Sequence, residues 1–323
     1  MIELQTEWGW LAALYLFLGG LGAGMFLVVS LLAQIHRKRH RKTIAVCYWI
    51  ATSCLLIGLV LLLIELIHPG RALFLWSSFS NFSSWMTLGA WGIAVALLSF
   101  ICTAFLSTRK TSRLLSIVWN TYPGLHALLR KIFTATGSLL ALFVMVYTGV
   151  LLMSPSGIPF WDSWLLPCLF SISALGAGIG AVTIVAIFTK SAQKISRHRR
   201  RYLATAVIGI VVLEGGILFL YINNMLLGGT SLFEPQQFAA IASADILVFG
   251  NFSLPFWGLV VFCGLVLPLV LSSISLILEK HKSWLAICAG AVFTLIGECT
   301  LRFLILHTGM SADFVGQTLL SML

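Results

Sequence analysis

Apolar residues come in eight long runs, near 10–34, 43–66, 85–106, 131–153, 164–189, 203–226, 253–278 and 284–307. Each is close to the 20 or so residues that a helix needs to cross the hydrocarbon layer of a bilayer. The pattern therefore predicts eight transmembrane helices joined by short loops. One further apolar piece, Leu114 to Leu129, is interrupted by Asn120, Pro123 and His126. It is short for a span, and its mixed character predicts an amphipathic piece lying on the inner face. The longest outer connection, 227–252, reads as a loop with room for a partner.

Composition supports the pattern. Residues are 59% hydrophobic and only 9% charged, and mean hydropathy is +1.02, whereas a soluble domain carries roughly a quarter charged residues. Eighteen of the 20 Lys and Arg fall in four places, 37–42, 109–131, 190–201 and 280–282; the other two are Arg71 and Arg302. Those four places follow the odd-numbered spans, so they share one side, which the positive-inside rule makes cytoplasmic. Both termini then face the periplasm. The leading segment carries Glu3 and Glu7 and no basic residue, unlike the n-region of a signal peptide, and predicts an uncleaved first span. The basic loops are topology signals, so no nucleic-acid partner is expected beside the membrane lipid.

The seven cysteines form no CxxC pair, so neither a metal nor an iron-sulfur cluster is expected in this protein. His36, His40, His126, His198 and His281 stand among basic loop residues and read as solvated. No helix carries a mid-span histidine to serve as an axial haem ligand, which sets aside a di-haem cytochrome b.

The polar residues inside the spans carry the chemistry, because ionisable groups at membrane depth mark ion, proton or ligand paths. Glu65, His68 and Arg71 stand three apart where the second span ends, so a continuing helix would align them on one face. Tyr15, Tyr147, Glu298 and Arg302 fall in the outer halves of three further spans, with Glu214 near the middle of the sixth. Glu298 and Arg302 are four apart and placed to pair. An outward-facing polar pocket among aromatic residues, with carboxylates behind it, suits a lipid-soluble quinone: its carbonyls need donors and its ring an apolar cleft. Quinol oxidation releases protons that Glu65, Glu214, Glu298 and Arg302 are placed to handle. Tyr15, His68, Tyr147, Glu65 and Arg71 are the candidate quinone-binding residues.

The sequence Leu21-Gly-Ala-Gly24 returns as Leu175-Gly-Ala-Gly178. In both places an apolar stretch and then a basic loop follow. This predicts two four-helix bundles, 1–160 and 161–323, in parallel orientation. The expected fold class is thus an all-α integral membrane protein of eight spans.

Trp8-Gly-Trp10, Tyr15-Leu-Phe-Leu-Gly-Gly-Leu-Gly-Ala-Gly24, Glu65-Leu-Ile-His-Pro-Gly-Arg71, Ser84-Trp-Met-Thr-Leu-Gly-Ala-Trp91, Tyr147-Thr-Gly-Val-Leu-Leu152 and Leu301-Arg-Phe-Leu-Ile-Leu306 together resemble the NrfD/polysulfide reductase membrane-subunit family over nearly the whole sequence. The resemblance implies a quinone-binding anchor of the bacterial inner membrane, working in anaerobic respiration with menaquinone or ubiquinone. It also implies an outer iron-sulfur partner that serves a molybdopterin or multihaem catalytic subunit, and it places Tyr147 and Tyr15 among the quinone ligands. Ala12, Ile67, Glu298 and Met310 depart from the family pattern. The competing reading is a secondary transporter, or a proton-translocating subunit without redox chemistry of its own, working along Glu214, Glu298 and Arg302.

Overall fold

The computed structural model of the protein describes residues 2–4, 8–36, 40–65, 85–108, 123–153, 157–189, 197–229, 234–277 and 280–312. Among them are eight helices long and apolar enough to cross a membrane. These are α1 (Trp10–His36), α2 (Arg41–Glu65), α3 (Trp85–Ser107), α4 (Pro123–Met153), α5 (Leu165–Phe188), α6 (Arg197–Leu226), α8 (Ser253–Ile277) and α9 (Lys280–His307). A shorter helix, α7 (Glu234–Val248), lies between α6 and α8. Side chains such as Leu139, Phe219 and Phe262 stand outward and exposed, an arrangement suited to hydrocarbon and not to water.

Three features differ from the pattern expected of the sequence. The piece around Pro123 to Leu129 is not a separate inner-face segment; it forms the opening turns of α4, which begins at Pro123 and runs unbroken to Met153. Proline suits the first helical position, where its missing N–H has no intrahelical partner to lose and its φ is already helical. The 227–252 connection holds α7 in place of an open loop, and α7 packs on α6 and on the last strand. Finally, α8 is not α-helical throughout, since Phe256–Val266 is wound as a π-helix. Pro268 follows two residues later; it has no N–H to give the Gly264 carbonyl, and its ring would crowd that carbonyl in an α register.

Packing largely follows sequence order. Helix α1 packs on α2 and α4, α2 on α3, and α3 on α4; α5 packs on α6 and α9, α6 on the Leu267–Ile277 part of α8, and α8 on α9. Helices further apart in the sequence also meet: α1 packs on α5 and α9, and α4 on α5. The two Leu-Gly-Ala-Gly copies lie against each other at this junction. A methyl on Gly24 would overlap the Ala174 carbonyl, and one on Gly178 would overlap the backbone of Gly24. Glycine is what lets these two backbones touch.

The segments before α1 and after α9 close on each other. Strands β1 (Ile2–Leu4) and β2 (Met310–Ala312) pair antiparallel, Glu3 opposite Ser311, and the Met310 amide donates to Ser243 Oγ of α7 at 3.0 Å. Both strands therefore sit at the face from which α1 departs and to which α9 returns. The α4–α5 connection is stapled to the same end: the Trp161 indole donates to the Ile305 carbonyl at 2.9 Å, and the Tyr221 hydroxyl donates to the Phe160 carbonyl.

Candidate functional site

Two buried polar groupings emerge, one of tyrosines and one of ions. Tyr15 from α1 and Tyr147 from α4 belong to a single buried cluster with Leu16, Leu151 and Trp161. The Tyr147 ring stacks on Phe143, one turn earlier on the same helix, with centroids 5.6 Å apart and planes 15° from parallel. On the α3 side its phenol occupies the space that a side chain at Gly89 would take, since a methyl there would overlap it. Tyr15 lies in the second turn of α1 and Tyr147 in the last two turns of α4. Both therefore lie toward the end of the molecule where β1 and β2 pair.

The ionic grouping is Glu214, Glu298 and Arg302. Glu298 and Arg302 share a face of α9, and the predicted pair forms: Arg302 Nη1 donates to Glu298 Oε2 at 3.2 Å and to the Glu298 carbonyl at 3.1 Å. Nη2 donates across to the Phe170 carbonyl of α5 at 3.3 Å, while the guanidinium carbon stands 5.1 Å from the Phe170 ring centroid. Gly20 of α1 makes room for this head group, because a methyl on it would come within 3.1 Å of Nη2. Arg302 is fully enclosed, and Glu214 and Glu298 expose only 4% and 3% of their surfaces. Glu214 reaches across from α6 to interact with the Glu298 carboxyl.

Two carboxylates beside one guanidinium leave a net negative charge, which a single proton on the pair would cancel. Glu298 Oε1, Arg302 Nε and Ser173 Oγ are buried with no hydrogen-bond partner, although Ser173 neighbours Glu298. The arrangement can thus hold an exchangeable proton on the carboxyl pair while Arg302 balances the remaining charge.

Of the residues singled out by sequence, the structure brings Tyr15 and Tyr147 into one cluster and Glu214, Glu298 and Arg302 into another. His68 and Arg71 lie outside the described residues, as does the side chain of Glu65, whose backbone closes α2. Sequence reasoning missed Ser173, Gly20, Gly89 and Gly176, which shape both groupings. The missed signal was spacing: Gly20 and Gly176 flank or fall within the repeated Leu-Gly-Ala-Gly segments. It also missed a buried Tyr48, bonded to Ser30 at 3.2 Å toward the basic-loop end. Among the described residues no group of His, Cys, Asp or Glu side chains is placed to hold a metal ion.

Eight apolar helices around a buried ion cluster define a multi-pass membrane protein. Comparison with known proteins makes the class specific. Residues 3–312 match the model of the family described as Polysulphide reductase, NrfD, and the protein belongs to that family. It is 30% identical over 319 residues to a polysulfide reductase component from Wolinella succinogenes, the match spanning 96% of this protein and 95% of that one. Protein NrfD of Escherichia coli is 25% identical over 314 residues, with 94% of each protein aligned. A selenate reductase component from Mesobacillus selenatarsenatis is 25% identical over 338 residues, spanning 96% of this protein and 76% of that one. Family and spans together make this a multi-pass protein of the bacterial inner membrane.

Proposed function

We propose that this protein is the membrane anchor and quinone-reactive subunit of a multisubunit respiratory oxidoreductase. It exchanges electrons between the membrane quinone pool and an iron-sulfur subunit docked on the periplasmic face, through which a molybdopterin or multihaem catalytic subunit is served. The names of the relatives, parts of a polysulfide reductase and a selenate reductase, support a place in such a complex. In this reading the basic loops are cytoplasmic, both termini are periplasmic, and 1–160 and 161–323 are two four-helix bundles in parallel.

The observation that carries the reading is the enclosure of two phenols from different helices, Tyr15 and Tyr147, in one aromatic and aliphatic cluster. A quinone fits such a place, because it needs hydroxyl donors at its carbonyls inside an otherwise apolar cleft. When bound, it supplies two-electron, two-proton redox chemistry. Tyr147, held by Phe143 and the space at Gly89, orients one carbonyl by hydrogen bonding; Tyr15 approaches from α1. His68, Glu65 and Arg71 are the remaining members of the proposed ligand set. Glu214 and Glu298 hold a proton between them, and Arg302 keeps the remaining carboxylate stable within the membrane.

The test is oxidation of a quinol analogue by the purified complex. Tyr147→Phe removes one hydrogen bond from the ring contact, and inhibitor affinity is expected to fall about tenfold, the equivalent of one such bond. Unchanged oxidation and inhibitor binding would refute the assignment of this cleft. The buried ion cluster also favours a second reading, a secondary transporter, which predicts solute uptake by liposomes containing this protein alone.

A further inference from the structure

On the basic-loop side, Trp284 and Ile287 of α9 form a small buried cluster with Ile187, in the last turn of α5, and Leu203, in the second turn of α6. The Trp284 indole thus lies among the ends of three helices, and the residue is only 8% exposed. Its Nε1–H is enclosed, yet it has no hydrogen-bond partner among the described residues. Trp161 and Trp257 show the ordinary case, donating to the Ile305 and Val248 carbonyls. A buried indole N–H normally finds an acceptor, and one that no protein group satisfies calls for an acceptor from outside the protein.

The surroundings decide the charge of that acceptor. Segments 190–201 and 280–282, which run into α6 and α9, carry eight Lys and Arg, with Glu279 the one acidic residue beside them. Neither helix has an acidic residue in its first turn to offset the positive end of its dipole. Next to the end of α5, the Thr189 and Thr43 hydroxyls share a hydrogen bond of 2.7 Å. That contact holds the start of α2, with its exposed Arg41 and Lys42, at the same end as the exposed Arg201 of α6. A topology signal accounts for positive charge on this side, but not for an enclosed donor beneath it. Apolar surface adjoins the charge. Phe188 follows Ile187 and Leu285 follows Trp284, and they are 82% and 63% exposed. Basic side chains beside open apolar surface suit a charged lipid better than a free anion.

We infer that the gap between the ends of α5, α6 and α9 binds the phosphate of an anionic phospholipid from the leaflet beside the basic loops. Trp284 Nε1–H donates to a phosphate oxygen, and Arg201 balances its charge from the rim. Basic recesses between spans on the cytoplasmic side take anionic head groups, and a hydrogen bond to an ionised acceptor is roughly twice as strong as one between neutral groups. Phe188 and Leu285 offer the acyl chains an apolar wall. The site lies at the far end of the spans from Tyr15 and Tyr147 and does not depend on the quinone reading. It takes from the proposed orientation only the name cytoplasmic for its side.

The experiment is native mass spectrometry of the full-length protein in detergent, titrated with dioleoyl phosphatidylglycerol and, separately, with dioleoyl phosphatidylcholine, whose head group has no net charge. Phosphatidylglycerol is expected to bind about tenfold more tightly, the factor for one charge-assisted contact. Trp284→Phe keeps an aromatic ring but removes the donor, and is expected to lower phosphatidylglycerol affinity about tenfold while leaving phosphatidylcholine unmoved. Arg201→Gln, at an exposed position that needs no repacking, is expected to lower it as well, and decides the matter where Trp284→Phe fails to elute as a folded species in gel filtration. Trp164→Phe, exposed at the opposite end of α5, is expected to change nothing. Equal affinity for the two lipids would overturn the site, as would phosphatidylglycerol binding that ignores both Trp284→Phe and Arg201→Gln. A loss in Trp284→Phe that is the same for both lipids would show a packing role alone and overturn it too. Displacement of phosphatidylglycerol by millimolar inorganic phosphate would mark a free-anion site and overturn the lipid assignment.

Discussion

Arg302→Met isolates the ion cluster from everything else in the protein. Methionine keeps much of the stem of the side chain but removes the guanidinium, and with it two hydrogen bonds to Glu298, one to the Phe170 carbonyl and the contact with the Phe170 ring. Taken singly, hydrogen bonds to a charged group contribute about 1.5–3 kcal/mol each. Adding three of them overstates the loss, since desolvation of the charges opposes it. Removing one partner from a buried ion pair costs about 3–5 kcal/mol, which is the expected destabilisation here. Adding Glu298→Gln to Arg302→Met removes the stranded charge and is expected to recover part of the loss. The coupling energy should be about 2–3 kcal/mol, near the top of the range for residues in contact. Unfolding of the protein by sodium dodecyl sulfate in mixed micelles, followed by circular dichroism, measures all four corners of the cycle. A single substitution costing under about 1 kcal/mol, together with additive behaviour in the double variant, would refute an enclosed, mutually dependent ion cluster.

Other outcomes follow from close contacts. Gly24→Leu forces a side chain into the Ala174 carbonyl and is expected to separate α1 from α5, seen as loss of the monodisperse peak in gel filtration. Gly89→Val displaces the Tyr147 phenol and is expected to abolish quinol-analogue binding while the protein still folds, because α3 packs elsewhere on α2. Trp161→Phe deprives the buried Ile305 carbonyl of its donor and should cost about 1–3 kcal/mol in the same unfolding assay.

Much of the architecture was legible because a bilayer simplifies the code. A long apolar run with basic residues after every second one has few other readings, and the eight spans fall close to where the pattern puts them. Irregular features were not legible. Pro123 and Asn120 resemble a break, yet proline opening a helix reads the same in sequence as proline ending one. Helix α7 has only fifteen residues, so its apolar positions fall short of a spanning run and do not stand out beside the eight long ones. The π-wound part of α8 is a change of hydrogen-bond register within uniformly apolar residues, which hydropathy does not record.

The same division runs through the site. Tyr15, Tyr147, Glu214, Glu298 and Arg302 stand out because polar groups at membrane depth are costly, and the pairing of Glu298 with Arg302 follows from helical spacing. That Glu214 completes the cluster depends on how α6 meets α9 across α5, which spacing along one helix does not specify. Gly20, Gly89 and Gly176 matter through the space they leave open, and a missing side chain advertises no chemistry until its neighbours are known.

The most direct measurement of the central claim is photolabelling of the purified protein with an azido-quinone, with the labelled peptides mapped by mass spectrometry. The account predicts label on α1 around Tyr15 and on α4 around Tyr147, competed by excess quinol and lost in Gly89→Val. Label confined to the ends of the helices beside the basic loops, or label that quinol does not compete, would contradict it.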